Sequence, residues 1–191
     1  LAKELLNRNA EGRINTLGES YQLAKNKRAK SNDSNRLPFV LLGDPAIRLS
    51  CPENHVVLID SINGKNVNLN IDTIGALGKV KMNGSIRFYS DSLIDETFNG
   101  YVHITIFDKE ETIRTLCNDA KNASNTKDTA FVYSYRTNPL YVGQVQVVNG
   151  KFTSEFIIPK DIRYNYGTGR IVMYAVDQQQ GLEANGYYSD M

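Results

Sequence analysis

Tryptophan is absent from this 191-residue chain, and cysteine and histidine occur twice each. Two cysteines cannot build a small scaffold held by disulfides. Neither sign of charge is in excess. The 22 Lys and Arg against 21 Asp and Glu leave +1, so no global field draws the protein to nucleic acid or to an anionic membrane. No apolar run approaches the ~20 residues of a membrane-spanning helix. Position 1 is Leu, and no leader with a basic start and an apolar middle follows it, so the sequence reads as a piece of something longer. What is present suffices for a core: 41% of residues are hydrophobic, in a chain the size of one ordinary domain plus an extra piece.

Two unlike parts are legible. In residues 1–36, Leu6, Ala10, Ile14, Leu17, Tyr21 and Ala24 follow one another at spacings of 4, 4, 3, 4 and 3, which predicts an amphipathic helix. Gly12 and Gly18 interrupt it at about 1 kcal/mol each, so such a helix needs a surface to pack on. Lys25, Lys27, Arg28 and Lys30 crowd its end, where cations suit the helix dipole. This part carries eight basic and four acidic residues (8 − 4 = +4), leaving −3 for the rest. No aromatic or glycine-rich element is interleaved with the charges, so they read as a solvated helix face and not as a nucleic-acid arm. Ser31–Asn35 is a polar stop.

From Phe39 the pattern changes. Phe39-Val40-Leu41-Leu42 predicts a short buried strand that stops at the turn Gly43-Asp44-Pro45. Alternation then sets in. Val67, Leu69 and Ile71 share one face; Val80, Met82, Gly84, Ile86 and Phe88 share another. Asn63-Gly64 and Asn149-Gly150 predict type I′ hairpins, the second joining 141–148 to 151–158. Further strands are expected at 100–108, 131–135 and 170–177, with Ile171–Val176 central, and the last residues, 186–191, resemble the start of another element. Roughly seven to nine strands predict a mainly β fold, an immunoglobulin-like antiparallel β-sandwich rather than a closed barrel. The polar stretch 119–130 reads as a loop. We divide the chain into residues 1–50 and 51–191.

Candidate chemistry is sparse. Cys51, Cys117, His55 and His103 are the only residues for a Cys–His nucleophile pair, and none stands in a nucleophile motif. His103 falls on the polar side of its strand, opposite Val102, Ile104 and Ile106. Whether Cys51 and Cys117 pair is left open, because sequence gives no Cα distance. Asp91, Asp95 and Glu96, and Asp108, Glu110 and Glu111, are acidic loops without the ligand spacing of a calcium site. Gly167-Thr168-Gly169 precedes a strand and reads as a turn, not as a phosphate loop. Ten of the eleven tyrosines lie at or after Tyr89. Tyr133, Tyr135, Tyr141, Tyr164, Tyr166, Tyr187 and Tyr188 either fill a β core or form a sugar- or protein-contacting platform. We therefore name no catalytic, cofactor-binding or metal-binding residue and expect no cofactor.

The run from Phe39 through Gly43-Asp44-Pro45-Ala46-Ile47-Arg48-Leu49, after a basic amphipathic helix, resembles the end of the catalytic region of gingipain-type cysteine peptidases. Val57–Val67, Phe98–Glu110, Gly143–Phe152, Phe156–Ile162 and Gly169–Asp177 are similar, in that order, to the PorU-like members of the type IX secretion system. The resemblance implies a fold, a place and a role. The helix and Gly-Asp-Pro segment would be the remnant of an upstream caspase-like α/β domain, and that domain would hold the catalytic Cys and His. Such peptidases remove C-terminal sorting domains from secreted cargo at the outer surface, as a sortase would, beside an outer-membrane β-barrel partner. No residue here matches the catalytic motif, so Cys51 is not carried over as the nucleophile. The implied partners are the catalytic domain of the same parent chain, the β-barrel protein and the cargo, with no nucleic acid. A surface adhesin or carbohydrate-binding domain is the alternative. Asp60-Ser61-Ile62, Asp72-Thr73-Ile74, Asp91-Ser92-Leu93 and Asp128-Thr129-Ala130 resemble the O-glycosylation acceptor of Bacteroidetes.

Overall fold

The structure is a computed structural model and describes residues 2–6, 13–27, 39–68, 74–116, 130–160, 162 and 167–189. Gly12, Arg28, Lys30, the 31–35 stop, Leu69, Ile71, Cys117, residues 119–129, Tyr164 and Tyr166 lie outside the described residues. The chain divides into two compact units, Leu1–Asn54 with Tyr89–Asp91, and His55–Phe88 with Ser92–Met191.

In the first unit the continuous helix gives way to two, α1 (Ala2–Leu5) and α2 (Leu17–Lys27). Residues 13–16 are not helical, and Thr16 makes an antiparallel bridge with Arg48. The reason is a cap. The Glu19 N–H donates to Thr16 Oγ1 (3.2 Å), and the Thr16 N–H donates back to Glu19 Oε2 (2.8 Å). This reciprocal capping box starts α2 and leaves Ile14 upstream of it, buried but extended. Gly18 allows a close approach: a Cβ there would lie 2.8 Å from Pro45 Cβ. The Gly18 N–H donates to the Pro45 carbonyl and the Leu17 N–H to that of Ile47, so the Gly-Asp-Pro turn is seated on the start of α2. Glu4, almost fully buried, pairs with Lys27 at 2.6 Å and holds α1 to α2. The expected buried strand Phe39–Leu42 does not form. No described strand takes up its backbone, and Phe39, Val40 and Leu42 are 67%, 72% and 92% exposed.

The regular elements among the described residues of the second unit are all strands: β1 (His55–Ile62), β2 (Lys65–Asn66), β3 (Lys79–Phe88), β4 (Gly100–Phe107), β5 (Glu111–Arg114), β6 (Val132–Tyr135), β7 (Pro139–Val147), β8 (Lys151–Ile157), β9 (Arg170–Asp177) and β10 (Leu182–Tyr188). Seven strands run in one path, β7-β4-β9-β10-β1-β3-β8, with β2 beside β1, while β5 and β6 pair separately. β1 pairs with β10 in parallel and all the other pairs are antiparallel. This corrects the expectation of a wholly antiparallel, immunoglobulin-like pair of sheets. One mixed sheet rolls round until its end strands, β7 and β8, meet at the Asn149-Gly150 turn, so it is nearly closed and barrel-like.

Local chemistry sets the register. Asn63 and Gly64 (φ 49° and 79°) and Asn149 and Gly150 (φ 50° and 70°) take the left-handed turn conformation that their sequences predict. β2 is shorter than expected, and Val67 lies in a turn after it. A bulge between Ile59 and Ser61 adds one residue to β1. Val57 and Ile59 point inward before it and Ile62 points inward after it, so the extra residue turns Asp60 out to Arg87 (2.8 Å) while the core phase is kept. β9 is central, as expected, but Val172 and Tyr174 on its outer side are exposed. The core joins Val57, Val80, Met82, Ile86, Phe98, Ile104, Ile171 and Met173 with Phe152 and Phe156 of β8.

Gly186 is where β10 meets β1. A Cβ there would lie 1.9 Å from the Val57 carbonyl oxygen, a backbone atom that cannot swing away. Gly186→Ala should therefore spread the parallel pair and lower unfolding stability by about 1–3 kcal/mol. A shift in the urea midpoint measures it, and an unchanged midpoint would show that the two strands separate without cost.

Candidate functional site

A buried polar cluster lies at one end of the rolled sheet. His55 opens β1, and its Nε2 lies 2.9 Å from Asp95 Oδ2; the two side chains are 5% and 3% exposed. The imidazole sits against the rings of Phe88 (5.0 Å) and Phe98 (6.1 Å). Asp95 Oδ1 accepts from the Thr97 N–H (3.0 Å) and the Thr97 hydroxyl (2.6 Å). Burial pushes the Asp95 carboxyl up, but the bonds from Thr97 and His55 outweigh it and hold it below the usual carboxylate range. Asp177, at the end of β9, is also buried. Its Oδ1 accepts from the N–H groups of Gln179 and Gln180 and its Oδ2 from that of Asn99. Here too burial pushes upward and the three backbone donors win, so the carboxyl is held low. The Thr97 carbonyl, which accepts from Gln180 Nε2 (2.7 Å), joins the two groups.

This arrangement fastens three connections to one another: the loop 94–99, the β9–β10 turn and the start of β1. It has a base and an orienting carboxylate, but the imidazole is packed between aromatic rings and no described nucleophile is bonded to it. Cys51 is a half-buried free thiol of the first unit, whereas His55 and Asp95 belong to the second. His103 is exposed on the outer side of β4. The pair was not legible from sequence, since the two residues stand 40 positions apart. Asp177 had a local signal: Asp177-Gln-Gln-Gln-Gly181 between two apolar runs is a turn sequence in which the Asp side chain accepts from the backbone that follows.

Stability should fall with acidification through these two carboxylates. Their folded pKa values lie below the unfolded ones, so the stabilisation is fully present above the unfolded value of about 4 and is lost as pH falls through the folded values. Urea unfolding across that range should show a steep loss for the native protein and a flatter one for the Asp95→Asn, Asp177→Asn double variant. Equal slopes would remove these groups from the acid response.

The other candidates are placed as follows. Asp91 and Glu96 are exposed, while Asp95 faces His55. Lys109 Nζ is 3.8 Å from Asp108, and Arg136 is 3.4 Å from Glu110 and donates to the Asp108 carbonyl. Glu111 begins β5. Among the described residues no three His, Cys, Asp or Glu side chains gather as metal ligands. The Thr168 carbonyl of Gly167-Thr168-Gly169 accepts from Arg136. Of the acceptor-like triplets, Asp60-Ser61-Ile62 is bound into β1, where Ser61 accepts from Asn83, and Ser92 is exposed with φ 62°. Asp72, Thr73, Asp128 and Thr129 lie outside the described residues.

The tyrosines divide. Tyr141 stacks on Phe156 at 4.5 Å and joins the core. Tyr133 and Tyr135 lie on the exposed strand β6, and Tyr188 packs against the core from β10. Tyr101, Tyr174 and Tyr187 are exposed on the outer side of β4, β9 and β10. There His103 stands between Gln144 and Tyr174, and Tyr174 beside Asn185. The Tyr174 phenol is pushed up by its hydrogen bond with Glu183.

No family model matches this chain, and no curated protein does. A solved structure does: dimeric latent PorU from Porphyromonas gingivalis is similar over 98% of this chain, with a TM-score of 0.61 and 29% identity. The chain resembles part of PorU. The match takes in only 17% of the PorU chain, so this sequence spans a small share of that protein's length. The sporulation control protein Spo0M of Bacillus subtilis aligns over 72% of this chain and 49% of its own, at a TM-score of 0.40 and 11% identity, too low to bear on fold or function. Among the described residues no helix is long and apolar enough to cross a membrane.

Proposed function

We propose that this chain is a non-catalytic segment of a PorU-like, gingipain-type cysteine peptidase of the cell surface. Residues 1–50 would be the end of the peptidase domain, and residues 51–191 a β module that spaces or docks the enzyme. The observation that carries the reading is the match to PorU over 98% of this chain but 17% of that one. The exposure of Phe39, Val40 and Leu42 supports it, because an apolar run of this kind needs the rest of a sheet to cover it. In this reading Cys51 and the His55–Asp95 pair take no part in catalysis. The parent's catalytic domain, its outer-membrane β-barrel partner and secreted cargo bearing C-terminal sorting domains are the partners.

The test is cleavage of a cargo sorting-domain peptide. The parent should cleave it and the 191-residue chain should not. Cleavage by this chain alone, or a parent without a cleaving cysteine, would overturn the proposal. The exposed row of Tyr101, Tyr174 and Tyr187, with amide and carboxylate neighbours, favours a second reading as a carbohydrate-binding domain. Glycan binding that is lost in Tyr187→Ala would select it.

A further inference from the structure

We propose that Asn63-Gly64, the turn between β1 and β2, is a site at which this protein modifies its own backbone: the Asn63 amide is lost through a succinimide, leaving aspartate or isoaspartate. Asn-Gly occurs five times in the sequence, at Asn63, Asn83, Asn99, Asn149 and Asn185. The chemistry open to each is the same, because glycine has no Cβ to hinder attack by its own nitrogen. The Gly N–H gives its proton to hydroxide and the nitrogen bonds to the Asn Cγ. The Cγ–Nδ2 bond then breaks, and ammonia leaves with a proton from water. A water molecule opens the ring at one carbonyl or the other. One water enters and one ammonia departs, and nothing is oxidised or reduced. Ring closure needs an unbonded Gly nitrogen and a backbone free to swing it onto Cγ.

The fold withholds one or both at the other positions. Gly84 lies inside the sheet between Ile59 and Phe152, and the Asn83 amide is bonded at both ends, to Ser61 and Thr153. The Asn99 amide is held by the Thr97 carbonyl and the Asn149 N–H, and Gly100 is paired with Val147. Gly150 is buried, and its N–H donates to the Phe98 carbonyl. Asn185 is exposed, but Gly186 is paired with Met173 of β9 and pressed against Val57 of β1. Asn63 and Gly64 differ. Both are exposed, and among the described residues the Gly64 N–H has no partner. A Cβ on Gly64 would find no heavy atom within 4 Å. The turn can also unwind locally, because beyond it only the two-residue β2 has to leave Ser61 and Ile62. Asn63 itself stays anchored to β3 meanwhile. Its N–H donates to the Lys81 carbonyl (2.8 Å), and its Oδ1 accepts from the Lys81 N–H (2.8 Å). That second donor points at the oxygen on which negative charge develops as the nitrogen attacks.

The test is ageing of the 191-residue chain at mildly alkaline pH, native and in urea, followed by peptide mapping with enzymatic methylation of isoaspartate. In the native protein Asn63 should react about tenfold or more faster than any other Asn-Gly, since the others wait for the sheet or a locked turn to open. The formal net charge then falls from +1 to 0 (1 − 1 = 0), seen as a single more acidic band on isoelectric focusing. In urea the rates should draw together, because only the fold separates the sites. Asn63→Asp keeps an acceptor for the Lys81 N–H and has no amide to lose, so its native ammonia release should fall to that of the slow sites. Earlier reaction at another Asn-Gly, a native protein unchanged at Asn63, or a lead of Asn63 that persists in urea would overturn the proposal.

Discussion

Asp95→Ala should cost the second unit about 3 kcal/mol or more of unfolding stability, read as a fall in the denaturant midpoint at unchanged slope. The substitution removes the acceptor of three donors at once: the His55 ring N–H, the Thr97 backbone N–H and the Thr97 hydroxyl. His55 is left buried between Phe88 and Phe98 without a partner, which is the expensive way to lose a hydrogen bond. The backbone of Asp95 cannot relax far, since its N–H donates to the Ile86 carbonyl and its own carbonyl accepts from Phe98. If the pair acts as a unit, His55→Ala in the Asp95→Ala background should cost much less than in the native protein. Additive losses, or a loss of only a few tenths of a kcal/mol, would show that the pair does not hold this end of the sheet.

What could be read from the sequence, and what could not, divides on range. The strands at 79–88, 100–107 and 151–157 are legible because each buries one face, which a period of two records directly, and that at 170–177 because its apolar run is continuous. The two Asn-Gly turns were visible because few other residues take their backbone angles. The joining of β1 to β10 was not, because nothing in His55-Val56 names Ala184 and Asn185 as its neighbours. That one parallel pair separates the rolled sheet from the expected sandwich. The error at Ile14 has a different source. Its spacing from Leu17 and Tyr21 fits a helix face, yet Thr16-Leu-Gly-Glu19 marks the helix start after it, and a cap outweighs one apolar position. At Phe39–Leu42 the apolar run predicts burial, but burial needs a partner that a local sequence cannot supply. The His55–Asp95 pair was hidden for the same reason as the parallel strands.

Phe98→Ala should be the costlier lesion in the core, at about 3–5 kcal/mol. Among the described residues Phe98 is the largest of the fully buried side chains, and it comes from a connection, not from a strand. It follows the Asp95–Thr97 turn and enters the core beside His55, while its carbonyl accepts from the Gly150 N–H (2.9 Å). The cavity left by the ring would be bounded on one side by that turn, fixed by Asp95, and on another by the β7–β8 turn. A Cβ at Gly150 would already come within 2.3 Å of the Asp95 carbonyl oxygen, so the two turns are in close contact and cannot move together to fill the space. The loss should therefore stand near the upper end of the range for Phe→Ala. Phe98→Leu, which keeps most of the apolar volume, should recover the greater part of it. If Phe98→Ala cost no more than Phe98→Leu, the loop would be free to collapse, and the fastening role assigned to Asp95, His55 and Asp177 would fall with it.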